Sequence, residues 1–184
     1  MKVQVIKIKD CEEVDNMDFF LRDIKLTDTE DIHNYASMNE VSRYQGWGPN
    51  SQKDTEDHVK FVLDRNETHY HKVIVDKQTD RVIGAIEMTI DKTNESGEIG
   101  YILHPDFWGK GIMTKAVGEI LDYGFNQLKL NRIWATTDVE NIGSEKVMQK
   151  AGMTNEGLLR QDIKLKNGFR DTLVYGILKS EYNP

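Results

Sequence analysis

Apolar residues recur along this chain with two different periods, and the switch between them outlines the fold. His69 to Asp76 (HYHKVIVD) and Arg81 to Asp91 (RVIGAIEMTID) are rich in β-branched residues and read as strands joined across Lys77-Gln78-Thr79-Asp80. Glu98 to Leu103 (EIGYIL) reads as another strand, which His104-Pro105-Asp106 breaks. From Ile112 the period changes. Ile112, Ala116, Val117, Ile120, Leu121 and Phe125 lie three and four residues apart and share one face of a helix. Between strand and helix stands Trp108-Gly109-Lys110-Gly111, so the order is strand, glycine turn, helix.

The remaining elements follow from the same patterns. Phe19 to Ile24 is a strand. Thr27-Asp28-Thr29-Glu30 has capping-box spacing and opens a helix carrying Ile32, Tyr35, Ala36 and Met38 on one face. Val41 to Tyr44 reads as a short turn, and Gln45 to Asn50 is irregular because two glycines and a proline surround Trp47. Ser51 to Asn66 is expected to be a second helix that buries Val59, Val62 and Leu63. Asn131 to Val139 is a strand, and Asn141 to Ala151 is a helix ending at Gly152 as C′ residue. Leu158 to Lys166 and Phe169 to Leu178 are strands joined by the hairpin signal Asn167-Gly168. At the N-terminus, Val3 to Ile8 alternates and can form an extra strand, followed by an acidic loop from Asp10 to Asp18. The crossover from Glu98 to Val139 demands one parallel strand pair, while the other connections are hairpins. The expected class is α/β, with a mixed, mostly antiparallel twisted sheet, flanking helices and one domain spanning 1–184.

Composition narrows the function classes. Charged residues make up 30% and hydrophobic residues 38%, ordinary for a globular chain. No apolar run approaches the roughly 20 residues of a membrane span, and the N-terminus lacks a signal-peptide core. The single cysteine, Cys11, cannot form an internal disulfide, and no Cys/His cluster has metal-ligand spacing. A cytoplasmic protein without metal or membrane partner is expected. The net charge of −7 argues against nucleic-acid binding and suits cationic partners, though acidity also simply aids solubility.

Candidate chemistry centres on the glycine turn. A helix start presents unpaired N–H groups and a positive dipole end, and glycine lets a bulky anion approach. The turn fits neither the P-loop nor the dinucleotide pattern. Gly-x-Gly after E-I-G-Y instead resembles the acetyl-CoA loop of the GNAT acetyltransferases, with Gly111 as the central glycine; Trp108 and Met113 depart from the usual flanking residues. W-G-K-G, Asn141-x-x-Ser144 through Gly152-Met153, Glu156-Gly157-x-x-Arg160 and Asn167-Gly168-x-Arg170-Asp171 together resemble the branch that acetylates N-termini of ribosomal proteins. The element order from Phe19 onward is also GNAT-like.

The resemblance implies transfer of acetyl from acetyl-CoA to a primary amine, most simply a protein N-terminus, with a polyamine, an aminoglycoside or a non-catalytic CoA-sensing role as alternatives. It assigns acetyl-CoA to Ile102, Leu103, Trp108, Gly109, Lys110, Gly111, Ile112, Met113, Thr114 and Asn141. It makes Glu98 the candidate base, acting directly or through water; the competing reading is a strand-edge charge. Met148 stands where many GNAT enzymes carry a catalytic tyrosine, and Ser144 is the replacement acid, with a helix-start structural role as its rival. Asn141 can cap its helix instead of holding the pantetheine arm. Tyr44 and Trp47 flank the irregular loop that borders the acceptor in this family, where they can form an aromatic lid or simply pack. The protein is expected to act as a monomer or homodimer.

Overall fold

The computed structural model describes residues 19–65, 68–165 and 168–183. The expected strand at 3–8, the acidic loop at 10–18, Cys11, Asn66 and Asn167 lie outside the described residues. The strands are β1 Phe19–Arg22, β2 His69–Asp76, β3 Arg81–Asp91, β4 Ser96–Leu103, β5 Arg132–Asp138, β6 Thr154–Leu165 and β7 Gly168–Leu178. The α-helices are α1 Thr29–Ala36, α2 Asn39–Ser42, α3 Gln52–Leu63, α4 Ile112–Asp122 and α5 Ile142–Lys150. The strands form one sheet in the order β1-β2-β3-β4-β5-β7-β6. Its neighbours are antiparallel except β4 and β5, the pair joined by the α4 crossover. The fold is therefore the mixed sheet that the periods predict.

Each sheet face carries its own core. On one face α4 buries Ile112, Ala116, Val117, Ile120 and Leu121, the stripe read from the sequence, against Ile86, Met88, Ile99 and Ile133. Phe125 continues the stripe into a π-type turn at Tyr123–Gln127. On the other face α1 and α3 bury Ile32, Tyr35, Val59 and Val62 over Val73, Val75 and Val82. Burial on this scale, at about 25 cal/mol per Å² of apolar surface, drives the assembly.

Several sequence expectations need correction. Leu63 is 46% exposed, not buried. The buried stripe of α3 is Thr55, Val59 and Val62, and Leu63 lies about 100° further round the helix from Val62. Thr27 and Glu30 form no capping box. Asp28 instead reaches back to accept the Lys25 N–H at 2.7 Å and is gripped by Arg22 at 2.7 and 2.9 Å. That partly buried pair sits beside a 3-10 turn at Leu26–Asp28 ahead of α1. The reciprocal box is found at α3, between Ser51 and Asp54. The turn expected near Val41 is the single-turn helix α2. β6 begins at Thr154, ahead of the expected Leu158, because its register with β7 shifts between Asn155 and Gly157 and the pairing continues on both sides of the shift.

Candidate active site

β4 and β5 are paired only from Ser96–Glu98 to Arg132–Trp134. Beyond Glu98 they part: β4 stays with β3, and β5 stays with β7. The wedge between them opens into a cavity of about 930 Å³. Among the described residues no strand pairs with this edge of β4 past Glu98. The wedge leaves room for a ligand that hydrogen-bonds like a strand along this edge.

The ladder fixes which groups face it. His104 N–H donates to Ile83 O at 2.7 Å, and a Cβ built on Gly84 would meet Ile102 O at 2.5 Å. Backbone groups alternate along a strand, so those of Ile102 belong to the ladder with β3, while Ile99, Tyr101 and Leu103 turn theirs toward the wedge. The Leu103 carbonyl takes the Trp108 indole N–H at 2.8 Å, which pins the glycine turn onto the strand end.

At that end Gly109 and Gly111 adopt φ of +73° and +80°, where other L-residues are strained. Gly111 is the N-cap of α4, and no side chain caps its first N–H groups. Gly109, Gly111, Ile112, Met113 and Thr114 border the cavity, although Ile112 and Met113 also bury their side chains in the core. Trp108 borders it as well. Lys110 does not: its ammonium sits 5.1 Å from the Phe107 ring centre.

Side chains alternate too, so the wedge is flanked by different chemistry on each sheet face. Glu98, Gly100 and Ile102 point to the α1/α3 face, and Ile99, Tyr101 and Leu103 to the α4/α5 face. Glu98 is half-buried at the apex of the wedge. Burial pushes its carboxyl above the ordinary value, and the neighbouring Glu87 charge pushes it further. Glu87, opposite Gly100 on β3, is held by Arg65 at 2.7 Å.

On the other face Ser144 sits in the first turn of α5. Asn141 caps that helix, its side-chain oxygen accepting the Ser144 N–H at 3.1 Å, so part of its amide is committed to the cap. The Ser144 hydroxyl lies 2.8 Å from the Tyr101 hydroxyl. Met148 is fully buried in the core. Tyr44 borders the cavity, whereas Trp47 is 42% exposed and outside its lining.

Sequence reasoning passed over Tyr101 and Glu87. Both left a signal. Tyr101 has the opposite strand parity to Glu98, and Glu87 is the lone charge in the apolar run VIGAIEM. Their meaning depends on partners distant in the chain.

The residues 18–154 match the acetyltransferase (GNAT) domain family. The chain belongs to the GNAT acetyltransferases. It is 36% identical to an uncharacterized N-acetyltransferase, p20, of Bacillus licheniformis, over 88% of this chain and 93% of that protein. A GNAT-family acetyltransferase structure from Bacillus anthracis superposes with a TM-score of 0.80 at 30% identity, covering 89% of this chain and 96% of that one. The Vibrio cholerae spermidine N-acetyltransferase, solved with CoA and spermine, superposes with a TM-score of 0.79 at 26% identity over 89% of this chain and 97% of its own. This GNAT chain is therefore an N-acetyltransferase. The family uses acetyl-CoA, and the wedge suits the donor's shape: open backbone groups for a pantetheine arm and an uncapped helix start for a pyrophosphate.

Proposed function

We propose that the protein acetylates the α-amine at a protein N-terminus, with acetyl-CoA lying along β4 and the amine arriving from the α1/α3 face. The observation that carries the reading is Glu98, a half-buried carboxylate at the wedge apex with a raised pKa. An α-amine has a pKa of roughly 7.7–8.0, against about 10.4 for a lysine side chain. It is partly neutral near pH 7, so a single carboxylate is enough to take its proton, directly or through water. The neutral amine attacks the thioester carbon, and the N–H groups of Tyr101 and Leu103 lie along the edge where the oxyanion develops. Collapse breaks the C–S bond and releases CoA thiolate on the α4/α5 face. The motif resemblance to ribosomal-protein acetyltransferases supports the choice; the net charge of −7 suits a basic protein and a polyamine equally.

A small polyamine is the second reading. Glu40, Glu87 and Glu98 all border the cavity, and the Vibrio cholerae relative was solved with spermine. A peptide with a serine or alanine N-terminus and one internal lysine separates the two. Mass spectrometry is expected to find acetyl on the α-amine. Labelling of the lysine alone, or activity confined to spermidine, rejects the N-terminal reading.

A further inference from the structure

Tyr101 borders the wedge on the α4/α5 side of β4, and acetyl transfer by Glu98 and the β4 amides leaves its hydroxyl without a role. It lies 2.8 Å from Ser144 Oγ and 3.1 Å from the Ser144 carbonyl oxygen. It has one proton and two acceptors. If it donates to the carbonyl, Ser144 donates back to it, and neither hydroxyl is left for a ligand. If it donates to Ser144 Oγ, the serine proton is released to point elsewhere. A negative charge in the wedge selects the second arrangement, because only that one offers it a donor.

We propose that Tyr101 is a positioning residue that turns the Ser144 hydroxyl toward the CoA sulfur, so that the two hydroxyls act as one donor to the departing thiolate. The inference rests on acetyl-CoA as the donor and is independent of which amine accepts. Both residues border the wedge on the face opposite Glu98, so proton removal and thiolate release are separated by the plane of the sheet. Electrons of the C–S bond leave on sulfur. Ser144 hydrogen-bonds the resulting anion without being deprotonated, and solvent supplies the proton that makes free thiol. Tyr101 keeps its proton throughout, because burial holds its phenol up to about 12. A tyrosine from the sheet thus stands in for the helix tyrosine that Met148 replaces, by acting through a serine.

The test needs only CoA. Ultraviolet titration of the bound thiol in wild type is expected to give a pKa below that of free CoA titrated in the same buffer. Tyr101→Phe keeps the ring in its packing and should return that pKa toward the free-CoA value, by about one unit, while calorimetric CoA affinity changes less than about threefold. Ser144→Ala should do the same, and Tyr101→Phe with Ser144→Ala should go no further than Ser144→Ala alone, since the tyrosine acts through the serine. With any active amine, single-turnover acetyl transfer should fall about tenfold in Tyr101→Phe. A wild-type thiol at the free-CoA value, or a thiol still depressed in either single variant, overturns the inference. Failure of the N-terminal reading, seen in the peptide assay, leaves the thiol titration and its outcome unaffected.

Discussion

The two sides of the wedge are built by different means. On the proposed reading, the donor side is a contiguous run, β4, glycine turn, α4, β5 and α5, spanning Ser96–Lys150, and it offers mostly backbone: the β4 edge beyond Glu98 and the N–H groups at the start of α4. The proposed acceptor side is assembled from scattered positions, Glu40, Tyr44, Glu87 and Glu98 with Arg65 behind Glu87, and it offers side chains. Backbone recognition needs the right conformation and tolerates many sequences. Side-chain recognition needs particular residues brought together from distant segments. The donor is common to the family, so it can be read from a local pattern. The acceptor is written in long-range contacts.

The comparison breaks most sharply at Glu98, which belongs to the donor strand by sequence and to the acceptor face by orientation. Glu98→Gln should lower turnover about 10²- to 10³-fold while calorimetric CoA affinity stays within about twofold. Equal loss of both would make Glu98 a part of the donor side. Next in size is Gly111→Val. A β-branched residue at φ +80° is strained by more than about 1–2 kcal/mol and distorts the first turn of α4. CoA affinity should drop about a hundredfold with the fold retained by circular dichroism, and unchanged affinity would remove the turn from the donor site.

A smaller effect reads the acceptor electrostatics. Burial first, and the Glu87 charge second, hold the Glu98 carboxyl above its ordinary value. In the proposed mechanism Glu98 works only when ionised, so kcat/KM should rise with pH through that value. Glu87→Gln removes the repulsion, lowers the Glu98 pKa and should move this acidic limb to lower pH by about half a unit. Arg65→Gln leaves Glu87 uncompensated and should move the limb the other way. Limbs unmoved in both variants would mean that Glu98 does not titrate in the profile.

How far the molecule was legible in its sequence follows the same division. The helix stripe of α4, the strands β2 and β3 and the glycine turn are local patterns, and they stand in the structure where periodicity put them. The box expected at Thr27 was displaced because Arg22, on a separate strand, draws Asp28 away. The link between Tyr101 and Ser144 joins residues 43 apart in sequence, and no periodicity signals it. Ile102 illustrates a finer limit. The sequence marks the strand but not its parity, and only the register with β3 shows that Ile102 commits its backbone there while Tyr101 and Leu103 turn theirs to the wedge.

The smallest expected effect tests where the acceptor side ends. Tyr44 and Trp47 stand close together in the chain, and the sequence offers both equally as aromatic candidates for the acceptor site. Their surroundings differ. Tyr44 borders the cavity, and the Arg43 guanidinium lies 5.2 Å from its ring centre. Trp47 is 42% exposed and contributes nothing to the lining. An aromatic side chain stabilises a bound ligand by the surface it covers, so truncation matters only where the ring touches the ligand. Tyr44→Ala should therefore raise the acceptor KM about three- to tenfold with kcat nearly unchanged, the mark of lost binding shared by ground and transition states. Trp47→Ala should change neither parameter by more than about twofold, as expected of an exposed residue outside the site. A Trp47→Ala KM rise as large as that of Tyr44→Ala would show that the 45–50 loop closes over the acceptor and that the acceptor side extends beyond the wedge.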